Sequence, residues 1–172
     1  MTTLHGISPV FDHNSRVLLL GSFPSVKSRE VGFFYGHPQN RFWKTLAAVL
    51  GAEIPQTVEE KRRLLLEHGI ALWDVVAECE ITGSSDSSIH AVIANDVERI
   101  LQAAPIERIF ANGKTAHCLY MRHLYPRIAR EAICLPSTSP ANAAWGQERL
   151  TEAWQCILSP IPSKTQKMNE NP

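Results

Sequence analysis

The chain has 172 residues, 17 Lys plus Arg against 17 Asp plus Glu, and 44% hydrophobic residues, the size and composition of one globular domain. A domain of this length buries roughly 70% of its unfolded surface without needing disulfide staples, and zero net charge with seven His names no partner through bulk electrostatics. No stretch approaches 18 consecutive apolar residues, and Met1 to Asn14 lacks the regions of a signal peptide, so the expectation is a cytoplasmic protein with no membrane association.

In chain order, Arg16 to Leu20 (RVLLL) is a short apolar run stopped by Gly21, which predicts a strand buried on both faces. Pro38 to Leu50 has Pro at its start, an apolar helical stripe and Gly51 after it, the punctuation of a helix. Thr57 to His68 opens with the capping pattern Thr57-x-x-Glu60 and stops at Gly69. Ile70 to Val76 (IALWDVV) reads as the second strand, Asn95 to Ala104 as a helix opened by Asn95-x-x-Glu98, and Ile106 to Ala111 (IERIFA) as the third strand. A helix over Lys114 to Leu124, the strand Ala132 to Leu135 (AICL) and a helix over Gln147 to Leu158 complete the series. Strands alternating with helices predict an α/β fold: a three-layer α/β/α sandwich around a central, mostly parallel four-stranded sheet. Residues 1–160 would form this single domain; 161–172, polar and aperiodic from Pro162 on, would form a flexible C-terminal tail.

Cys79, Cys118, Cys134 and Cys156 are scattered without any C-x-x-C pair, inside or beside apolar runs. They are expected to pack as small hydrophobes, with no zinc or iron–sulfur site, and no metal or cofactor is expected. Ligands in such folds sit beyond the carboxyl ends of the strands, here the segments Gly21 to Gln39, Ala77 to His90, Asn112 to Lys114 and Pro136 to Gly146. In the first, Phe33, Phe34 and Tyr35 are adjacent aromatics in a polar loop; they either face a planar ligand or fold back as a small cluster. Gly83 to Ser88 could surround phosphates or be an ordinary turn-rich loop. Asn112-Gly113-Lys114-Thr115 offers either a phosphate or base-edge site or a helix cap with a surface lysine. Ser22 on a strand-to-turn elbow, with His37 or His117 as base, is a weak nucleophile alternative, because G-x-S-x-G and an acid partner are missing. A non-catalytic nucleotide-binding module is another, although G-x-G-x-x-G and a P-loop are absent.

Gly21-Ser22-Phe23-Pro24-Ser25 followed by Gly32 to Lys44 (GFFYGHPQNRFWK) resembles the first motif region of the uracil-DNA glycosylase superfamily, in the mismatch-specific pattern G-x-N-P, aromatic loop, H-P-x-N-R-F-W-K. Leu135 to Ala143 (LPSTSPANA) sits where that superfamily carries its second motif, the loop that presses into the DNA minor groove. The position of the mismatch branch's catalytic Asn is Phe23 here, and a phenyl ring can neither orient water nor hydrogen-bond. The hypoxanthine-DNA glycosylase branch carries this substitution and places its catalytic Asn in H-P-x-N, which is Asn40 in this chain; Ser139 to Ala143 also resembles that branch.

The resemblance implies a monofunctional glycosylase that hydrolyses the N-glycosidic bond of deaminated bases, above all hypoxanthine in deoxyinosine, and leaves an abasic site. Its partner would be DNA containing deaminated bases, bound by a monomer; a uracil or G/U mismatch-specific enzyme of the same superfamily is the alternative. The Asn40 carbonyl oxygen would align the attacking water while its amino group donates elsewhere, unless Asn40 merely caps the loop. The flipped base would meet Phe23, Tyr35, Asp74 and Asn112, with Tyr35 as the stacking face. Asp74 would accept the N1–H of hypoxanthine, where adenine presents a lone pair; otherwise it caps the loop after its strand. Expected DNA contacts are Ser22, Ser25, Lys27, Ser84, Lys114, Ser137, Ser139, Pro140, Ala141 and Asn142, with Pro140 to Asn142 as the wedge.

Overall fold

The computed structural model describes residues 1–82 and 89–159; Ser84 and the 161–172 tail lie outside them. Leu18, Leu19 and Leu20 are fully buried because β2 (Val17–Gly21) lies inside a four-stranded sheet, paired in parallel with β3 (Ile70–Asp74) on one side and β6 (Arg108–Asn112) on the other. β7 (Ala132–Leu135) pairs in parallel with β6, giving the order β3-β2-β6-β7. Strands covered by helices need apolar residues on both faces, which is why no alternation shows in RVLLL.

Seven helices occur among the described residues: α1 (Val26–Val31), α2 (Phe42–Leu50), α3 (Val58–Glu67), α4 (Glu98–Ala103), α5 (Lys114–His123), α6 (Tyr125–Ile128) and α7 (Gln147–Trp154), the last running into a 3-10 turn over Gln155–Leu158. α3 lies against β3, α5 against β6 and β7, and α2 packs on α7. α3 carries the expected capping box: the Glu60 N–H donates to Thr57 Oγ1 (3.1 Å) and the Thr57 N–H to the Glu60 carboxylate (3.3 Å).

Two predicted helix starts are corrected. α2 begins at Phe42, not Pro38, because the Asn40 N–H closes a turn onto His37 O and the Asn40 side chain accepts the Phe42 N–H (2.9 Å). Asn95 does not cap α4. It is buried, and its Nδ2 donates instead to Asp74 O (2.9 Å) and Val76 O (3.2 Å), tying the two sheets together.

The second sheet is the main departure from the expected architecture. β1 (Thr2–Leu4), β4 (Val76–Ile81) and β5 (Ile89–Ala94) form an antiparallel sheet in the order β1-β4-β5. Ile70 to Val76 is therefore not one strand: the chain bends at Val75, whose N–H donates to Gly21 O (2.8 Å), and β4 leaves in another sheet. Within Ala77 to His90, expected as a connection, residues 77–81 belong to β4 and residues 89–90 to β5, and residues 83–88 lie outside the described residues. Only Val76 and Cys79 are fully buried in β4 and the β4/β5 register slips twice, so neither an apolar run nor a clean alternation marks these strands.

Phe33 and Phe34 are buried and fold back into the core with Phe42 and Trp43. Three indole N–H groups pin backbone around one end of the parallel sheet: Trp43 to Phe34 O (3.1 Å), Trp73 to Ile7 O (3.1 Å) and Trp154 to Pro136 O (2.9 Å). Of the cysteines, only Cys79 is buried, and burial pushes its thiol up; Cys118 on α5 and Cys134 on the edge strand β7 are exposed, contrary to the packed role expected of them.

Candidate active site

The carboxyl ends of β2, β3 and β6 and the loop after β7 enclose a cavity of about 530 Å³. Gly21, Phe23, Tyr35, Asn40, Asp74 and Thr138 are on its walls, and Ile81 and Ile89 of the antiparallel sheet close one side. Asp74 is the only carboxylate among the described residues that line it, and Arg29 the only Lys or Arg.

Asp74 ends β3 directly opposite Gly21 of β2. It is 4% exposed, and its Oδ2 lies 2.7 Å from Nε2 of His5, itself 5% exposed. The Ile7 N–H donates to the other ring nitrogen, Nδ1 (3.1 Å), so the ring proton is on Nε2 and is given to Asp74. The second carboxylate oxygen, Oδ1, lies against Gly21: a Cβ there would be 2.2 Å from it and 2.8 Å from the Tyr35 hydroxyl. Glycine at the end of β2 is what lets both polar groups reach the cavity floor.

A second network holds the opposite wall. Asn112 Nδ2 donates to the Tyr35 hydroxyl (3.1 Å) and to Thr138 Oγ1 (2.9 Å), and Asn112 Oδ1 accepts the Thr138 N–H (3.0 Å). Thr138, 0% exposed, passes its own hydroxyl proton to Asn40 Oδ1 (2.9 Å). That oxygen also accepts the Phe42 N–H, so both of its lone pairs are engaged by protein. The predicted polarity of Asn40 is reversed: its carbonyl oxygen is committed to structure, and no partner of its amino group occurs among the described residues. Asn112 is likewise braced, its carboxamide engaged at both ends, and it lines the cavity.

Tyr35 lies flat on Phe42, with ring centroids 4.0 Å apart, and is held at φ +53°. A non-glycine residue in the left-handed region is strained, and such strain gathers where a side chain must be aimed. Phe23 stands edge-on to His5 (5.9 Å), with the Arg29 guanidinium over its ring (5.5 Å). Arg29 Nε is buried without an acceptor among the described residues.

The loop after β7 is fastened to the start of α2. The Arg41 N–H donates to Thr138 O (3.1 Å), and its guanidinium donates to Asn142 O (3.1 Å) and to Trp145 O. Asn142 Nδ2 donates to Ser137 O (3.0 Å). Pro140 and Ala141 are left exposed at the tip, while Ser137, Ser139 and Pro140 face the cavity. Ser22 and Ser25 are also on its wall, Ser25 as the cap of α1. Lys27 and Lys114 are exposed and do not line the cavity; Lys27 sits 3.8 Å from Glu30. No Ser–His nucleophile pair forms among the described residues: His117 bonds to Ala132 O (3.0 Å), and Nδ1 of His37 accepts the Gln39 N–H (3.1 Å).

Sequence reasoning missed His5, Arg29, Arg41 and Thr138. Arg41 and Thr138 stand within the two motif segments and could have been picked from them, whereas His5 carries no local signal. Thr138 gives a direct check on the network. Thr138→Val, nearly equal in volume, leaves one of the two Asn112 Nδ2 hydrogens without its acceptor and removes one donor from Asn40, so chemical denaturation should show a loss of about 1–3 kcal/mol; an unchanged denaturation midpoint would mean the network carries no stability.

The profile of the Uracil DNA glycosylase superfamily matches residues 8–158 of the chain. A protein of Methanosarcina acetivorans named hypoxanthine DNA glycosylase is 32% identical over 155 residues, which is 89% of this chain and 96% of the relative. One of the same name from Methanosarcina barkeri is 34% identical over 112 residues, 63% of this chain and 70% of the relative. A solution NMR structure of a candidate uracil DNA glycosylase from Methanosarcina acetivorans superposes with a TM-score of 0.76 at 29% identity, covering 92% of this chain and all of the other.

Proposed function

Because the chain belongs to the uracil DNA glycosylase superfamily, we propose that it is a monofunctional DNA glycosylase that hydrolyses the glycosidic bond of deoxyinosine, releasing hypoxanthine and leaving an abasic site. The Methanosarcina relatives carry this base in their names. The observation in the structure that carries the choice of base is Asp74, a buried carboxylate with one oxygen on the cavity wall. An ionised carboxylate only accepts hydrogen bonds, so it pairs with the N1–H of hypoxanthine and repels the N1 lone pair of adenine.

The damaged nucleotide leaves the stack at a cost of a few kcal/mol, offset by contacts to Tyr35 and Phe23 in the cavity. As the C1′–N9 bond breaks, its electron pair goes to the purine and positive charge spreads over C1′ and the ring oxygen. Water then gives hydroxide to C1′, and the proton it loses ends on the departing base. The amino group of Asn40, a donor only, suits the negative charge that collects on that base, and fixed donors aimed at developing charge are worth about 10²–10³ in rate. No lysine among the described residues lines the cavity, which supports hydrolysis over Schiff-base chemistry. Ser22, Ser137 and Ser139 are placed to take backbone phosphates and Pro140 to Asn142 to enter the groove, with Arg29 supplying local charge that zero net charge does not.

Base release from matched duplexes holding one inosine, uracil or xanthine, read after alkaline cleavage, tests this reading. Inosine should dominate by about tenfold or more, the worth of one well-placed polar contact. Uracil-dominant release would overturn the role of Asp74, and no release from any duplex would overturn the enzymatic reading.

A further inference from the structure

Hypoxanthine must be told apart not only from adenine but from guanine, which is far more abundant in DNA and shares the N1–H and O6 of hypoxanthine. The two purines differ at C2, where guanine carries an amino group beside its N1–H. A carboxylate with both oxygens turned to the cavity would take that pair of donors side by side, as it takes a guanidinium, and would prefer guanine.

Asp74 is not such a carboxylate. Its Oδ2 is committed to His5 Nε2 at 2.7 Å, and the His5 ring is fixed in turn: Nδ1 accepts the Ile7 N–H, and Phe23, Phe34 and Trp73 surround it at centroid distances of 5.9, 6.1 and 6.4 Å. The His5 backbone N–H is anchored to Ala77 O (2.8 Å), next to the pairing of β1 with β4. What remains for a ligand is Oδ1 beside Gly21. We infer that His5 is a specificity-determining positioning residue: its ring takes up Oδ2 of the buried Asp74 and turns the carboxylate so that Oδ1, beside Gly21, is the oxygen offered to the base, one oxygen for one N–H, which matches hypoxanthine and removes the advantage of guanine. The guanine amino group, desolvated opposite an oxygen already engaged, then counts against binding. This inference rests on the proposed contact of Asp74 with the base.

The test uses the full chain and single-stranded oligonucleotides carrying one 2′-fluoro-arabinosyl inosine or guanosine, whose glycosidic bonds resist cleavage and which need no unpairing. Dissociation constants are compared for the wild type, His5→Phe, His5→Gln and Asp74→Asn. His5→Phe keeps a ring within the aromatic surround and removes the donor, and it should narrow the preference for inosine over guanosine by about tenfold; His5→Gln, which keeps an N–H, should restore most of it. A purely structural His5 would weaken both ligands by the same factor, and an unchanged ratio in a folded His5→Phe protein overturns the inference. Should His5→Phe not fold, His5→Leu is measured under the same criterion. Asp74→Asn separates the two levels: if it leaves inosine affinity unchanged, the base-reading role of Asp74 falls and the inference with it. If it weakens inosine while His5→Phe leaves the ratio intact, only the inference falls.

Discussion

Asn40→Asp will fold normally and release hypoxanthine about 10²-fold more slowly than the wild type. The substitution keeps an oxygen where Asn40 Oδ1 accepts the Phe42 N–H and the Thr138 hydroxyl, so α2 and the loop after β7 stay in place. Only the amino end is exchanged, from a donor to an acceptor, and next to a purine gaining negative charge an acceptor repels. Single-turnover release under saturating enzyme, alongside duplex affinity, reads the effect; a fall in rate with affinity unchanged marks an interaction made in the transition state. Asn40→Ala loses both ends, and its thermal unfolding should also show the cost of the two hydrogen bonds that Oδ1 accepts, about 1–3 kcal/mol. An Asn40→Asp protein as fast as the wild type would instead make this residue an activator of water.

Gly21→Ala is the second substitution with a large expected effect. The added methyl would lie 2.2 Å from Asp74 Oδ1 and 2.8 Å from the Tyr35 hydroxyl, and neither neighbour can retreat easily, since His5 holds Asp74 and Asn112 holds Tyr35. Either β2 and β3 shift apart or the His5–Asp74 bond breaks, at a cost of about 1–3 kcal/mol, a fall in Tm of roughly 3–10 °C for this size. Hypoxanthine release should fall about tenfold or more, because each 1.4 kcal/mol of lost positioning is a factor of ten. Gly146→Ala is the control: Gly146 has φ −66° and nothing within 4 Å of its would-be Cβ, so both quantities should stay at wild-type values. Wild-type release by Gly21→Ala would mean that Asp74 does not need its observed place.

The parallel sheet was legible because β2, β3 and most of β6 are buried on both faces and its helices are punctuated by Gly, Pro and a capping box. The antiparallel sheet was not, because β1 has three residues, β4 mixes buried with half-exposed positions, and β5 pairs with it through an irregular register without a single buried residue. Within the site, Asn40 and Asp74 stand in recognisable segments, but which end of the Asn40 amide is engaged depends on Thr138, 98 residues away. That Arg29 and not Lys27 lines the cavity has a geometric reason. Lys27 and Arg29 are two apart on α1, and positions two apart on a helix face different ways; Arg29 turns to the cavity and Lys27 to solvent. His5 had no sequence cue, being joined to its partner across 69 residues.

That separation has a consequence for the order in which the protein is built. During synthesis β1 emerges well before β4, the strand on which it docks, and His5 well before Asp74. β2 can pair with β3 as soon as Asp74 has emerged, whereas β1 has no partner until β4 follows, and β2 closes the still longer loop to β6 later again. A partly made chain can therefore hold β2 beside β3, with Asp74 opposite Gly21, before β1 docks and brings His5 to the carboxylate that it positions.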